Sequence, residues 1–454
     1  MQIISKPVNV RDMAVSREER AQKQKELLCK YGKTLVCFTL NIAGDIKNSP
    51  LIYQGFIEGN NEIERVFASR DIDVIHSEKK CLFTGCEAYY IVNAPAYTIK
   101  KLMCKIEETH PIGRLFDIDV INCQGVKIQR SDAGYEKRKC LICSSHAAEC
   151  ARSRAHGIDE LKSQTTKILL QYLLPIQKQK VADFAIKALL YELSVTPKPG
   201  LVDMDNNGSH RDMDRFVFIN SALSLRKYFE ECFEIGYATK NTECEKVMNC
   251  LKVAGKKAEC EMYKATNGVN THKGAVFSLG LIASCCGRLA FTSFDKDDLI
   301  SECSTLYGSI VQNELNGTGK ELSYGEKCYK EYGIKGARGQ AAEGYKSVLD
   351  GAYEVLKHCL HSGFGINHSG GIALLYLIRD IDDTALLHRA GIKGAMKVRK
   401  KITDILLNNP YPDIGTIKRI DDFFIKRGYS SGGAADMLSL CFFVYFVTEE
   451  GNNV

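Results

Sequence analysis

The pattern of apolar and polar positions divides the chain into two parts. In the first 165 residues, short β-rich apolar runs at 33–42, 88–94 and 114–123 are bounded by turn-forming residues, and helical stretches at 18–30 and 98–108 lie between them. Apolar runs of this length with turn formers at their ends are typical of strands. The pattern predicts an N-terminal α+β domain built around a mixed sheet.

The second part of the chain is marked by its proline usage. The sequence has nine prolines, but positions 200–409 hold none. Apolar residues in this part, beginning with residues 181–191, recur at spacings of three and four, which is the period of an amphipathic helix. We therefore expect a multidomain protein with an all-α C-terminal domain. The boundary is expected near Pro175, with residues 1–168 in one domain and residues 169–454 in the other.

Composition and charge narrow the class of protein. With 45% hydrophobic and 26% charged residues, the chain matches an average globular protein. Its 61 Lys and Arg against 55 Asp and Glu give a net charge of +6. That excess is too small for a dedicated nucleic-acid binder, but it favours phosphate-rich small molecules or an acidic partner. We therefore expect no nucleic-acid partner.

The apolar runs and the cysteines bear on location. The longest apolar run, 440–447, is much shorter than the ~20 residues that span a bilayer, so no membrane association is expected. The 19 cysteines are a small share of a long chain and follow no apolar signal segment. The sequence therefore predicts reduced thiols and a cytoplasmic location.

Two aspartates stand out in the strand pattern of residues 113–120, GRLFDIDV. Alternate side chains of a strand share a face, so Asp117 and Asp119 are expected to lie side by side, away from the core. Adjacent carboxylates commonly share Mg²⁺, which also binds nucleotide phosphates. The preceding Arg114 is a candidate phosphate ligand. The alternative interpretation is a solvated strand edge.

A second cluster is Cys140, Cys143, Cys150 and His156, in RKCLICSSHAAECARSRAH. A CxxC pair followed by a third cysteine and a histidine is compatible with a tetrahedral Zn²⁺ site. A second CxxC pair is missing, and a reduced structural cluster is the alternative.

The densest polar string is TPKPGLVDMDNNGSHRDMD, residues 196–214. Prolines and a glycine end the preceding helix, so a rigid loop is expected. The loop holds Asp203, Asp205, His210, Arg211, Asp212 and Asp214. Carboxylates here are candidate Mg²⁺ ligands on a triphosphate, with Lys198 and Arg211 on its oxygens. Alternatively, the loop is solvated and caps the next helix through Ser209 or Asp212.

Further polar strings each stand at a glycine-marked helix entrance: TNGVNTHKGA, GARGQAAEGY, DDTALLHRAG and SSGGAADML. Helix N-termini favour phosphate because their backbone N–H groups are free. The candidate residues that they contribute are His272, Lys273, Arg338 and Arg389. Asp436, in the last string, is interpreted as an acid in the first turn of its own helix.

The N-terminal segments RAQKQKELL, TLNIAGDIK, GRLFDIDV and RKCLIC…CARSRAHG together resemble the phosphoribosyl-dephospho-CoA transferase that acts on apo-citrate lyase. The resemblance implies a nucleotidyltransferase-like domain that transfers phosphoribosyl-dephospho-CoA to a serine of the acyl carrier (gamma) subunit and releases pyrophosphate. It also implies that Asp117 and Asp119 hold Mg²⁺ and that Arg114 neutralises the pyrophosphate.

The C-terminal segments TPKPGLVD…GSHRDMD, NTHKGA, GARGQA, DTALLHR and GGAADML resemble the triphosphoribosyl-dephospho-CoA synthase family. The resemblance implies an all-α enzyme that displaces adenine from ATP with the ribose 2′-hydroxyl of 3′-dephospho-CoA. Such a reaction needs a carboxylate near C1′, a base for the hydroxyl and an acid for the departing adenine. Asp203, Asp205, Asp212 or Asp214 are candidates for the carboxylate and Mg²⁺ roles, and His210 or His272 for proton transfer. The candidate phosphate ligands are Lys198, Arg211, Lys273, Arg338 and Arg389.

These resemblances describe consecutive reactions, because the product of the second domain is the substrate of the first. We therefore expect a bifunctional enzyme that makes and attaches the citrate lyase prosthetic group. Two alternatives stay open at this point: the same chemistry for a malonate decarboxylase carrier, and a zinc-stabilised nucleotide-binding adaptor without catalysis.

Overall fold

The computed structural model describes residues 5–143, 145–315 and 336–451, with the backbone alone for 309–315. The chain forms two compact units. The first contains residues 1–176 together with 291–293, and the second contains residues 177–290 together with 294–454.

Unit 1 is an α+β unit with one four-stranded sheet. Its strands are β1 (Thr34–Leu40), β2 (Val74–Leu82), β3 (Gly85–Val92) and β4 (Phe116–Ile121). Its helices are α1 (Val10–Tyr31), α2 (Pro50–Ser69), α3 (Ala96–Thr109) and α4 (Ala147–Ser153), and the helix α5 (Ile158–Ser194) begins here and continues into unit 2. The apolar runs at 33–42, 88–94 and 114–123 correspond to β1, β3 and β4. The sequence pattern missed α2 and β2.

The strand order is β2-β3-β1-β4, and every pairing is antiparallel. The expectation of a mixed sheet is therefore wrong. A tight turn joins β2 to β3 directly, which only antiparallel neighbours allow. Strand β2, which contains Glu78, Lys79 and Lys80 in succession, was hard to recognise because it lies at the sheet edge with much of its surface in solvent.

The two faces of the sheet have different cover. One face carries the main core, in which Phe38, Tyr90, Phe116 and Ile118 pack with apolar residues of α2 and α3. On the other face a smaller apolar cluster packs against Leu27 of α1. The second face is therefore covered by a helix over part of its area and is polar elsewhere.

Every regular element among the described residues of unit 2 is a helix, as the sequence predicted. After α5 come α6 (Arg215–Ser224), α7 (Arg226–Ala238), α8 (Cys244–Ala265), α9 (Lys273–Arg288), α10 (Lys296–Leu315), α11 (Gly336–Ala342), α12 (Lys346–Leu349), α13 (Ala352–His361), α14 (Ile366–Asp380), α15 (Thr384–Asn408), α16 (Ile414–Arg427) and α17 (Gly432–Tyr445). Helix α17 continues as a short π-helix, Phe446–Glu450. Each glycine-marked string precedes or opens a helix.

Pro175 lies inside α5, although proline is disfavoured in helix interiors. Proline removes one helical hydrogen bond and crowds the preceding turn. Burial on both sides offsets this cost, because Leu169 and Leu173 pack in the core of unit 1 and Ala182 is fully buried farther along.

By length and composition alone, one helical segment among the described residues, Gly432–Glu450, could cross a membrane. Two-thirds of its most apolar window (67%) is buried within the protein. That burial is the behaviour of a core helix of a folded domain.

Candidate active sites

The second face of the sheet presents a row of polar side chains. Along β4, Phe116 and Ile118 are buried while Asp117 and Asp119 lie on the opposite face. The register places Thr39 of β1 opposite both Asp117 of β4 and Glu87 of β3. Glu87, Thr39 and Asp117 therefore form one row across three strands.

A cavity of about 200 Å³ lies between this face and α1. Asp117 lines it together with Arg17 and Arg20 of α1 and with Lys47. Arg20 Nε donates to Glu87 Oε1 at 2.8 Å, and Tyr89 Oη donates to Glu87 Oε2 at 2.5 Å. The site thus combines an exposed carboxylate with cations that a phosphate group can contact.

Asp119, unlike the exposed Asp117, forms an ion pair with a lysine. Its Oδ2 accepts from Lys127 Nζ at 2.6 Å, and both side chains are partly exposed. An exposed ion pair of this kind contributes little stability, about 0–1 kcal/mol, so a cation can displace the lysine at low cost. Two carboxylates on one face fit the oxygen ligands that Mg²⁺ takes in proteins.

Arg114 lies in different surroundings from Asp117. It precedes β4 in a single 3₁₀ turn, and its Nη2 donates to the carbonyl oxygens of Lys139 and Cys140, the latter at 3.2 Å. It lines a separate cavity of about 330 Å³ with Arg130 and Arg138. Glu107 forms ion pairs with both of those arginines. Sequence proximity to Asp117 did not place Arg114 in the same cavity.

The structure brings Cys140, Cys143, Cys150 and His156 together. One ligand atom from each lies within 4.8 Å of the others. Cys143 Sγ is 3.4 Å from Cys150 Sγ and 3.3 Å from His156 Nε2. The hydrogen bond from His156 lowers the pKa of Cys143 to about 6. Three thiols and an imidazole at this spacing fit tetrahedral Zn²⁺.

The loop before α6 uses its aspartates mainly to hold its own backbone. Asp203 is buried, and its oxygens accept from the backbone N–H groups of Lys198, Asp205 and Asn206 at 2.8–3.0 Å. Asp214 is the N-cap of α6. The proposed caps Ser209 and Asp212 are therefore wrong, because Asp214 holds that position.

Unit 2 contains a polar cavity of about 380 Å³. Of the sequence-predicted residues, those that line it are Lys198, His210, His272, Lys273 and Arg389. Asp203, Asp205, Asp212, Asp214, Arg211 and Arg338 are outside this lining. Asp205, Arg211 and Asp212 are exposed on the loop surface. The four aspartates of the string thus lie outside this lining, although the same loop contributes Lys198 and His210 to it.

A buried ion pair lies at this cavity. Lys198 Nζ is 2.5 Å from Glu192 Oε1, and the two residues are 1% and 3% exposed. Burial raises the pKa of Glu192, and the Lys198 charge opposes that change. Glu192 was missed by sequence reasoning because it is an isolated acid near the end of α5, at a position that resembles a solvated helix face.

Both histidines are held neutral. Arg389 Nη2 donates to His210 Nδ1 at 3.3 Å, and His210 Nε2 lies 2.9 Å from Ser430 Oγ. Burial, with Arg389 nearby, lowers the pKa of His210. Burial also lowers the pKa of His272, to about 3, with Lys198 as the second cause.

Two acids lie near the start of α17, and one of them, Asp436, lines the cavity. Asp436 lies beyond the first turn of α17 and packs against Gly274 of α9. The expectation that Asp436 serves its own helix is therefore wrong. Asp383 caps α15 and also accepts from Ala434 N at 2.9 Å, so it joins the starts of two helices.

A second cavity, of about 440 Å³, lies in the same unit and contains Arg338. Apolar side chains such as Met248, Leu251 and Leu281 form part of its lining, and Lys252 and Lys256 add positive charge. Glu259 also lines it and pairs with Lys273 Nζ at 3.1 Å. Since Lys273 lines the first cavity, this ion pair lies between the two.

Comparison with known families matches each part of the chain separately. Residues 8–172 match the family of apo-citrate lyase phosphoribosyl-dephospho-CoA transferases. Residues 178–454 match the family of ATP:dephospho-CoA triphosphoribosyl transferases.

Individual relatives extend over the whole chain. Protein CitXG from Haemophilus influenzae is 32% identical, and the alignment covers 96% of this chain and 95% of the relative. Protein CitXG from Leuconostoc mesenteroides subsp. cremoris is 33% identical over 96% of this chain and 97% of the relative. The 2-(5''-triphosphoribosyl)-3'-dephosphocoenzyme-A synthase of Haemophilus ducreyi is 34% identical over 66% of this chain and 98% of the relative.

The chain has an acidic site on the sheet of unit 1 and cavities in the helical unit 2, and each part matches a transferase family. The class of protein is therefore a fusion of two transferases. The chain belongs to the family of bifunctional citrate lyase maturation proteins that join these two domains. It is an enzyme with both activities, triphosphoribosyl-dephospho-CoA synthesis and phosphoribosyl-dephospho-CoA transfer to apo-citrate lyase. The adaptor alternative is thereby excluded.

Proposed function

We propose that the two activities are divided between the domains, with synthesis in residues 169–454 and transfer to the carrier in residues 1–168. The observation that supports this division is the presence of two chemically distinct sites, each built within one compact unit. The product of the first reaction carries the triphosphate that the second reaction releases in part as pyrophosphate.

For the transfer reaction, we propose that Asp117 and Asp119 hold Mg²⁺. The ion would supply charge neutralisation on the triphosphate of the donor. Arg17, Arg20 and Lys47 surround Asp117 in the same cavity, so we assign them to the phosphates as well. Arg114 acts at a different place: its hydrogen bonds hold the segment that contains Cys140.

For the Cys/His cluster, we propose a structural Zn²⁺ site. Support comes from four ligand atoms within 4.8 Å of one another and from His156 Nδ1, which lies 3.5 Å from the carboxylate of Glu160. A carboxylate on the second ring nitrogen is a common way to orient a ligating histidine. The ion would fix residues 139–156, and through the carbonyls bound by Arg114 it would stabilise the start of β4.

For the synthesis reaction, we propose that ATP occupies the cavity lined by Lys198, His272 and Arg389. The second cavity suits 3′-dephospho-CoA, since its apolar side chains match the pantetheine arm and Lys252, Lys256 and Arg338 match the phosphates. Asp205, Arg211 and Asp212 are exposed near the loop surface and are assigned to no step.

We propose the acyl carrier (gamma) subunit of citrate lyase as the protein substrate, modified on a serine, and the cytoplasm as the location. Several cysteines of the described residues, among them Cys232, Cys285 and Cys441, are buried, where a free thiol packs as a small apolar side chain. The net charge of +6 suits an acidic carrier.

The test supplies ATP and 3′-dephospho-CoA with the apo-carrier of either citrate lyase or malonate decarboxylase. It measures two products. Adenine is followed by chromatography, and the carrier by intact mass. We expect adenine release that depends on dephospho-CoA, and a mass gain on the citrate lyase carrier. A mass gain on the malonate decarboxylase carrier alone would overturn the choice of partner.

A further inference from the structure

Asp436 lies against the N-terminus of α9. A Cβ at position 274 would come within 2.0 Å of Asp436 Oδ2, so only glycine at that position leaves room for the carboxylate. The carboxylate is therefore placed by close packing at the edge of the polar cavity that it lines.

The charged neighbours of Asp436 are already paired. Glu192 on α5 is bound to Lys198, and Asp383 accepts from three backbone N–H groups at the starts of α15 and α17. From α9, Lys273 is paired with Glu259. Among the described residues no lysine or arginine forms an ion pair with Asp436. Burial and the two nearby anions raise its pKa well above the usual range, so the protonated acid is favoured.

A second, independent observation comes from His272, the residue before α9. The side chain is 3% exposed and lines the same cavity. Thr271 Oγ1 donates to Ser221 Oγ at 2.7 Å, which leaves the Ser221 proton for His272 Nδ1, also at 2.7 Å. In the tautomer that accepts this proton, Nε2 carries the ring hydrogen, and it has no hydrogen-bond partner within the part of the chain that the structure describes.

An unpartnered buried N–H group is costly, and ligand acceptors are a common reason for it. The cavity thus offers two donors at one helix end, the Nε2–H of His272 and the carboxylic acid of Asp436. Adenine carries three ring nitrogens that accept hydrogen bonds. The pair of donors matches two of those acceptors.

We propose that the adenine of ATP binds at this end of α9 and that Asp436 is the catalytic acid that protonates it as it leaves. The inference rests on the proposed function of unit 2. The C1′–N9 bond breaks with its electron pair staying on adenine, and the Asp436 proton passes to a ring nitrogen, so that neutral adenine departs. The 2′-hydroxyl oxygen of dephospho-CoA bonds to C1′ and its proton passes to solvent. Asp436 takes up a proton from solvent before the next turnover, which leaves the enzyme unchanged.

The test compares ATP with N7-methyl-ATP in the full chain carrying Asp436→Asn. The methylated purine already bears a positive charge and leaves without a proton from the enzyme. We expect adenine release from ATP to fall about 10²- to 10⁴-fold. Release of methyladenine should fall less than about tenfold, because general acid catalysis is no longer needed. Equal losses with both substrates would mean a structural role and overturn the proposal.

Asp404→Asn is the matched control, since Asp404 is exposed on α15 outside the cavity. If Asp436→Asn does not fold, the wild type gives the same answer. Its kcat/KM for ATP should decline as the pH rises and Asp436 loses its proton. The charged or titratable groups around Asp436 are Glu192, Lys198, Asp383, His272 and Lys273. With N7-methyl-ATP this decline should be absent, and an identical decline would contradict the proposal. Adenine release by the wild type tests the proposed function, because its absence would remove both proposals. Normal release by the wild type with equal losses for both substrates in the variant would remove only this inference.

Discussion

Lys198 and Glu192 form a buried ion pair at the cavity of unit 2, with 2.5 Å between Nζ and Oε1. Glu192 lies near the end of α5, and Lys198 lies in the loop that follows. The pair therefore fixes the path of the chain where the helix gives way to the polar loop.

Breaking that pair should be strongly destabilising. Glu192→Gln leaves a buried ammonium without a charged partner, and loss of one partner of a buried pair costs about 3–5 kcal/mol. The measurement is the urea midpoint of the unfolding transition of unit 2 in the full chain. The control is Glu234→Gln in the exposed Lys178–Glu234 pair, where about 0–1 kcal/mol is expected. A loss of unfolding free energy no larger than that of the control would show that the buried pair does not stabilise the fold.

The protonation of His272 should make stability depend on pH. Its pKa is lowered to about 3, below the usual value near 6.5, so the unfolded chain binds more protons between these pH values. The stabilisation is complete above pH 6.5 and is lost as the pH falls toward 3. The slope due to this residue is up to about 1.4 kcal/mol per pH unit.

Denaturation of wild type and His272→Gln at a series of pH values measures that slope. The variant should lose stability less steeply below pH 6.5, whereas His361→Gln, an exposed histidine on α13, should follow the wild type. Parallel curves for all three proteins would show that His272 is not held neutral by burial.

Gly274→Ala should abolish adenine release by displacing Asp436. The added Cβ would overlap Asp436 Oδ2 at 2.0 Å. Transfer to the carrier from supplied triphosphoribosyl-dephospho-CoA should persist, because unit 1 is untouched. Gly365→Ala is the control, since the space around its Cβ is open. Normal adenine release by Gly274→Ala would contradict the close packing of Asp436 on α9.

Zinc should be bound at about one ion per chain, and Cys143→Ser should lose it, because three thiols and an imidazole complete a tetrahedral site only together. Metal analysis of the purified full chain measures the ion directly. Carrier transfer should weaken in the variant while adenine release continues. Cys123→Ser, an exposed cysteine outside the cluster, should keep its zinc. Wild-type protein without zinc would favour the reduced-thiol alternative.

Chelation separates the two proposed metals. EDTA should stop carrier transfer, and Mg²⁺ alone should restore it if the Zn²⁺ site has kept its ion. Restoration by Zn²⁺ without Mg²⁺ would contradict the assignment of Asp117 and Asp119 to magnesium.

The sequence predicted those features that depend on local periodicity. The alternation around Asp117, the helical spacing at 181–191 and the CxxC pair each describe neighbours along the chain, and the elements found there agree. The purely antiparallel pairing of the sheet was missed because which strands pair, and in which direction, depends on contacts between distant segments.

The cavity of unit 2 was predicted only in part for the same reason. His272, Lys198 and Arg389 were found from their glycine- and proline-marked surroundings. Glu192 carries no such signal, and Asp436 was assigned to its own helix because sequence alone does not show that it contacts α9. The aspartates of the 203–214 loop had the strongest local signal, yet Asp203 and Asp214 bind backbone N–H groups instead.

The central claim, that two separate sites perform the two reactions, is tested most directly by Asp117→Asn combined with Asp119→Asn. The matched control is Asp71→Asn with Asp73→Asn, an exposed pair of the same spacing in the same unit. With ATP, dephospho-CoA and apo-carrier, we predict that the double variant releases adenine as the wild type does but leaves the carrier mass unchanged. Loss of both activities, or a fully modified carrier, would contradict the account.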